Sequence, residues 1–141
     1  MGKLTLIIPG EPCAQGRPRF STHGGFVKAY DPAKSRDYKA YVKMCATKAM
    51  QEQGWTLTEK ALSIEIRAFM SIPSSKSKKF KQAAIVGIER PTKKPDVDNV
   101  FKILTDALSG IAYKDDKQIV DAKISKFYAD ESRVEALIRI I

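Results

Sequence analysis

The sequence predicts an α/β domain of the α+β type, in which a small mixed β-sheet is flanked by two main helices. Three segments alternate between apolar and polar residues, which is the period of a half-buried strand. Two other segments repeat apolar residues every three or four positions, as an amphipathic helix does. We interpret residues 1–141 as one domain, since a chain of this length buries a core without disulfides or metals.

The first third of the chain predicts a strand, a hairpin and a helix. Residues 3–9 predict a buried strand, which a Pro-Gly pair ends. Residues 16–30 predict a hairpin whose turn falls at a His-Gly-Gly sequence, because glycine tolerates positive φ. Asp31 as N-cap and Pro32 as first helical residue begin a helix that Gly54 stops. Its apolar stripe consists of Tyr38, Tyr41, Val42, Cys45 and Ala49.

The middle of the chain predicts a strand, a polar connector and a second helix. Residues 61–70 alternate and predict a strand with one buried face. Residues 71–95 form a basic connector that holds a short helix after Ser77. The second helix runs from about Asp98 to Ser109 and ends at Gly110, with Phe101, Leu104 and Leu108 on its core face.

The last two segments predict strands joined by a short polar turn. Residues 118–128 and 133–141 both alternate, and Asp130-Glu131-Ser132 lies between them. The apolar rows are Val120, Ala122 and Ile124 in the first strand, and Val134, Ala136, Ile138 and Ile140 in the second.

Charge is unevenly distributed along this chain, whose formal net charge is +9. Residues 1–94 contain 18 of the 25 lysines and arginines but only 7 of the 16 acids. A field of this sign attracts nucleic acid, although a solvated basic surface would look the same. Cys13 and Cys45 follow no metal or disulfide pattern. With no apolar run that could span a bilayer, we expect a cytoplasmic protein with reduced thiols and no membrane partner.

The acids gather around the second helix. The stretch PDVDN carries Asp96 and Asp98, and Asp98, Lys102 and Asp106 follow at i, i+4 and i+8 on one helix face. Asp115-Asp116 precedes the next strand, so packing of the helix on that strand would return one of the pair to the helix N-terminus. Carboxylates that converge repel one another, and a hard divalent cation such as magnesium relieves this repulsion.

The same residues have a purely structural interpretation. Asp98 is a good N-cap, Asp98 and Lys102 are spaced for an ordinary ion pair, and Asp115-Asp116 suits a polar turn. If a metal is bound, it would polarise a phosphoryl oxygen and activate water for phosphodiester hydrolysis, with Lys102 stabilising the developing charge. A D-x-D pair alone does not decide between these interpretations.

The segment KPDVDNVFKILTDALSGIAYKDDKQIVDAKISKFY (94–128) resembles the core of the RusA-type Holliday-junction resolvases. The hairpin segment 12–38 and the closing strand 133–140 resemble the same family, so that the match covers most of the chain. The matching residues are Asp96-x-Asp98-Asn99, Lys102, Asp106-Ala107-Leu108 and Asp115-Asp116-x-Gln118. The resemblance implies a magnesium-dependent endonuclease, with manganese as a substitute, that cuts four-way DNA junctions in recombination and repair.

The resemblance also implies roles for individual residues. Asp96, Asp98 and Asp116 would bind the metal, with Asp115 as the second choice for the last position, and Lys102 would be the essential lysine. Asn99 and Asp106 would cap the helix or orient the metal ligands. A homodimer is implied too, and its two-fold symmetry suits paired symmetric nicks. Many members occur in phage and prophage genomes, which makes a viral origin an expectation.

Basic residues outside the acidic motif are candidates for DNA contact. Arg17 and Arg19 on the hairpin would bind phosphate, and Lys93 and Lys94 would position the scissile strand. A basic run around Phe80 would clamp a DNA arm, or form only a solvated helix; it contains Lys76, Lys78, Lys79 and Lys81. The alternatives are a non-catalytic DNA-binding module and a D-x-D nucleotide transferase, the latter disfavoured because no glycine-rich phosphate loop is present.

Overall fold

The computed structural model describes residues 2–15, 19–21, 25, 28–30 and 33–141. The strands are β1 (Lys3–Pro9), β2 (Arg19–Ser21), β3 (Lys28–Tyr30), β4 (Leu62–Ser71), β5 (Ile119–Ala129) and β6 (Arg133–Ile140). The helices are α1 (Ala33–Gln53), α2 (Lys78–Ile85) and α3 (Val97–Leu108), and one turn of 3-10 helix spans Asp116–Gln118.

A four-stranded sheet in the order β1-β6-β4-β5 forms the centre of the fold. β4 and β5 are parallel and the other pairs are antiparallel, so the sheet is mixed, as the sequence predicted. The register aligns Leu6 with Ala136 and Ile64 with Ile138, which places the apolar residues of neighbouring strands on one face. α1 and α3 pack against each other over this face and bury the main core.

α2 belongs to a smaller cluster near the ends of β4 and β5. Met70, Ala84 and Tyr128 are buried there, with Ile72 and Phe80 packed around them. Ser77 is the N-cap of α2, and its hydroxyl accepts a hydrogen bond from the backbone N–H of Phe80 at 3.1 Å. The predicted short helix after Ser77 is therefore confirmed.

Most predicted elements are confirmed, and the strands of the hairpin form the separate antiparallel pair β2-β3, whereas His23 and Gly24 of its predicted turn lie outside the described residues. Gly54 and Gly110 end their helices with φ values of +70° and +85°, a conformation that favours glycine. The predicted helix start at Asp31 and Pro32 lies outside the described residues.

Three expectations were wrong in detail. β1 is a half-buried edge strand, not a fully buried one. On its outer edge, the backbone N–H of Thr5 donates to Gln53 Oε1 at 2.9 Å, and Gln53 Nε2 donates to the carbonyl oxygen of Thr5 at 2.7 Å. Of the predicted row in β5, Val120 is 60% exposed where the β4-β5 register shifts between Leu62 and Ser63, Ala122 is exposed as well, and Ile124 packs against the core. α3 begins one residue earlier than expected, at Val97, which makes Asp96 and not Asp98 its N-cap.

Candidate functional site

The first turn of α3 presents two exposed carboxylates. Asp96 is the N-cap by backbone conformation, but its side chain makes no capping hydrogen bond, and Asp98 lies in the first turn. Among the residues that the structure describes, neither carboxylate has a hydrogen-bond or ion-pair partner. Asn99 is half-buried, and its backbone carbonyl accepts a hydrogen bond from the backbone N–H of Gln15 at 3.2 Å. That bond ties the chain before the hairpin to the start of α3.

Asp106 joins two lysines from different helices. Its Oδ2 lies 3.4 Å from Nζ of Lys102, one turn earlier on α3, and 3.7 Å from Nζ of Lys39 on α1. The Lys39 side chain is 16% exposed, whereas that of Lys102 is 62% exposed. The ion pair expected between Asp98 and Lys102 is therefore replaced by one with Asp106. The exposed Lys102 ammonium can still reach a ligand.

The Asp116 carboxylate accepts a hydrogen bond from the hydroxyl of Tyr113. The Tyr113 side chain is fully buried, and its hydroxyl lies 3.0 Å from Asp116 Oδ1 and 3.0 Å from the carbonyl oxygen of Thr105 on α3. Asp116 thus lies on the Thr105 side of α3, where Asp106 and Lys102 are close enough to affect the pKa of its carboxyl group.

The electrostatic environment of Asp116 disfavours its negative charge. Burial raises the pKa of this carboxyl, and Asp106 and Asp115 raise it further, while Tyr113 and Lys102 act in the opposite direction. Burial, together with the neighbouring acids, also raises the pKa of the Tyr113 hydroxyl, so it remains a hydrogen-bond donor. A cation beside Asp116 would relieve the repulsion among these acids.

Asp115 has a structural task of its own. Its carboxylate accepts a hydrogen bond from the backbone N–H of Lys117 at 2.9 Å, and its own N–H donates to Gln118 Oε1 at 2.8 Å. This is a capping box for the 3-10 turn. The amide of Gln118 also donates to the carbonyl oxygens of Thr58 and Lys60, each at 2.9 Å. These bonds fix the backbone on either side of Asp116.

No group of three acidic, histidine or cysteine side chains is placed to hold one metal ion within the part of the chain that the structure describes. The donor chemistry nevertheless fits a hard divalent cation, since the acids around α3 offer only oxygen ligands. Magnesium keeps several waters and often uses only one or two protein carboxylates beside substrate phosphates. The assignment of Asp96, Asp98 and Asp116 to one ion stays a prediction.

The connector that leads into α3 is fixed along β5. The Arg90 guanidinium stacks on Phe127 at 3.9 Å from the ring centre, and its Nε donates to the carbonyl oxygen of Lys126 at 2.5 Å. The Lys126 ammonium in turn donates to the carbonyl oxygen of Lys93 at 2.6 Å. These contacts hold the exposed residues Lys93 and Lys94 directly ahead of Asp96.

The other predicted DNA contacts lie farther along the connector and on the hairpin. Lys76 lies over the Phe80 ring at 5.0 Å, and Lys78 and Lys79 are exposed on the first turn of α2. Lys81 is half-buried, and its ammonium donates to the carbonyl oxygen of Ser74 at 3.1 Å. Arg17 is outside the described residues, and for Arg19 only its place in the backbone of β2 is described.

Sequence reasoning missed three residues that support this region: Tyr113, Lys39 and Arg90. Tyr113 lies three residues before Asp116 in a loop, where no helical or strand periodicity predicts that the two side chains are in contact. Lys39 lies on the polar side of α1, so that its proximity to Asp106 depends on how the two helices pack. Only Arg90 could have been singled out from the sequence, since it belongs to the basic connector and lies three residues before Lys93.

No helix among the described residues is long and apolar enough to cross a membrane. The chain is 45% identical over 141 residues to a Bacillus subtilis (strain 168) protein named "Uncharacterized protein YqaN", a match that spans 99% of this chain and 97% of that protein. The family model described as "Endodeoxyribonuclease RusA" matches residues 9–139. With nearly its whole length covered, the chain belongs to the RusA family of endodeoxyribonucleases, whose members act on branched DNA junctions.

Proposed function

We propose that this protein is a magnesium-dependent endonuclease that resolves four-way DNA junctions by paired symmetric nicks. The observation that carries the proposal is the position of Asp116, whose carboxyl group is held beside Asp106 and Lys102 on a chain of net charge +9. Family membership supports the nuclease activity. The acids supply a site for a divalent cation, and the basic connector supplies contacts for the DNA backbone.

In this proposal Asp96, Asp98 and Asp116 bind the ion, which manganese can replace. When bound, the ion polarises a phosphoryl oxygen and lowers the pKa of an attacking water. Lys102 stabilises the negative charge that builds on the phosphate as the bond breaks. Asp106 holds the Lys102 ammonium through the 3.4 Å ion pair, and its second partner Lys39 anchors Asp106 itself.

The DNA would lie along the basic connector toward the start of α3. Lys93 and Lys94 position the scissile strand, while Arg17, Arg19, Lys76, Lys78 and Lys79 contact phosphates farther away. A four-way junction has two equivalent strands to cut, so a two-fold homodimer would place one site on each. We therefore also propose that the active form is a homodimer that works on cytoplasmic DNA in recombination and repair.

The test is cleavage of a synthetic four-way junction with magnesium, comparing the wild type with Asp98→Asn. Asp98→Asn should lose cleavage and keep its fold, because the side chain is exposed and has no partner among the described residues. Asp130→Asn, in the exposed turn between β5 and β6, is the matched control and should cut normally. Undiminished cutting by Asp98→Asn would reject the site, and no cutting by a folded wild type would reject the activity.

A non-catalytic DNA-binding module is the second candidate, favoured by the lack of an assembled three-acid group in the described part of the chain. This alternative predicts binding whose affinity falls steeply with salt, with a log–log slope of roughly −0.9 per phosphate neutralised. It also predicts that DNA stays intact with magnesium present. Incubation of the junction with and without EDTA distinguishes the two, because only the nuclease stops cutting when the metal is removed.

A further inference from the structure

Tyr113 is a buried tyrosine whose hydroxyl reaches the acidic residues. It is fully buried, and its backbone carbonyl accepts a hydrogen bond from the N–H of Gly110 at 2.7 Å. Its backbone also forms isolated bridges to Thr58 and Ser109. The ring therefore cannot shift without disturbing the core, so the hydroxyl has a fixed position next to the Asp116 carboxylate.

The Tyr113 hydroxyl has two acceptors but only one proton. Asp116 Oδ1 and the carbonyl oxygen of Thr105 are both 3.0 Å away. The Thr105 carbonyl already accepts the N–H of Ser109 at 2.9 Å, whereas an ionised carboxylate forms the stronger, charge-assisted bond. The proton therefore favours Asp116, and Thr105 remains as a second acceptor when the carboxylate moves.

We propose that Tyr113 is a positioning residue for metal binding, which holds Asp116 by Oδ1 so that its other oxygen faces the ion or one of its waters. This inference rests on the proposed function. The capping box of Asp115 fixes the backbone beside Asp116, and Tyr113 fixes the side chain, so both ends of this ligand are set before an ion arrives. Removal of a partner that orients a metal-binding carboxylate in this way typically weakens metal affinity by about 10- to 100-fold.

The experiment compares the wild type, Tyr113→Phe and the control Tyr128→Phe in the full chain. Tyr128 is also a buried tyrosine, but it packs on Phe80 in the separate cluster near α2. Manganese binding is measured by calorimetry without DNA, and junction cleavage is measured against manganese concentration. We expect the manganese Kd and the half-saturating concentration for cleavage to rise about 10- to 100-fold in Tyr113→Phe only. The rate at saturating manganese should change little, since no reacting atom is removed.

The outcomes separate this inference from the proposed function. If the wild type binds manganese and cuts, but Tyr113→Phe has the wild-type Kd, the positioning role is rejected and the nuclease remains. If the wild type binds no manganese, both are rejected. A merely structural role for Tyr113 would lower thermal stability without moving the manganese Kd of the folded fraction.

A second measurement covers the case in which Tyr113→Phe does not fold. Carbon-13 at the tyrosine Cζ position reports the hydrogen bond of each hydroxyl, and this chain has five tyrosines. Titration of the wild type with magnesium should move the Tyr113 resonance, and Asp116→Asn should abolish that shift. An unmoved Tyr113 resonance at saturating magnesium would overturn the inference.

Discussion

The two lysines that share Asp106 should separate stability from catalysis. Lys39→Met and Lys102→Met both remove one ammonium group from the same carboxylate and keep most of the aliphatic stem. Because Lys39 is 16% exposed and Lys102 is 62% exposed, the structure assigns them different energetic roles. We expect Lys39→Met to lower stability and Lys102→Met to abolish cleavage.

The magnitudes follow from the two environments. The exposed i,i+4 pair of Lys102 should contribute about 0.3–0.5 kcal/mol to stability, as such pairs usually do. For Lys39, the attraction at 3.7 Å is about 4.5 kcal/mol at an effective dielectric constant of about 20, and desolvation offsets most of it. We expect Lys39→Met to lower the free energy of unfolding by at least about 1–2 kcal/mol, because Lys39 also makes interactions other than this ion pair.

Urea unfolding in EDTA and junction cleavage in magnesium test both variants. Lys102→Met should unfold within about 0.5 kcal/mol of the wild type and cut at least about 100-fold more slowly, the usual cost of losing a group that stabilises developing charge. Lys39→Met should unfold earlier but retain most of its cleavage at a temperature where it is folded. Equal destabilisation by the two variants, or full cleavage by Lys102→Met, would refute the assignment.

Three further predictions concern the supporting contacts. The pKa of Asp116 is raised, so the folded state keeps its proton to higher pH than the unfolded chain does; wild-type stability in EDTA should therefore fall relative to Asp116→Asn as pH rises from about 3.9 through the raised value. A difference in melting temperature that does not vary with pH would contradict this. Asp115→Ala should cost about 1 kcal/mol in urea unfolding through loss of the capping box, whereas Asp130→Ala should stay within about 0.5 kcal/mol. Arg90→Ala should cost about 1–2 kcal/mol by losing its stacking on Phe127 and its bond to the Lys126 carbonyl, and Arg90→Lys should not restore it; an unchanged urea midpoint would show that the connector is held by other contacts.

The arrangement of elements was predictable because strand and helix periods are local properties of the sequence. Residues 61–70 alternate strictly, and the corresponding strand Leu62–Ser71 buries its apolar side as predicted. The exposure of Val120 was not predictable, since Val120 lies at a register shift that only the pairing of β4 with β5 reveals. Likewise, β1 has the composition of a buried strand, but its place at the sheet edge is set by long-range topology.

The acidic residues were identifiable from the sequence, but their partners were not. The motif around Asp96 and Asp98 and the later Asp115-Asp116 pair stand out by composition alone. Spacing on one helix predicted an ion pair between Asp98 and Lys102, yet i,i+4 geometry serves Asp106 equally well, and Lys39 on α1 favours that end. The contact between Tyr113 and Asp116 depends on a tight loop whose conformation no simple period describes.

The carboxylates of the candidate site differ in how firmly they are held. Asp116 and Asp106 have fixed partners, whereas Asp96 and Asp98 are exposed at the start of α3 and have none within the described residues. If these acids bind one ion, as we propose, Asp116 would be ordered before the ion arrives, and Asp96 and Asp98 could adjust when DNA phosphate is present. Asp116→Asn should therefore weaken manganese binding without DNA, whereas Asp98→Asn should weaken it mainly when the junction is bound. Calorimetry of both variants with manganese, with and without an uncleavable junction, checks this order; equal losses without DNA would show that both ligands bind together.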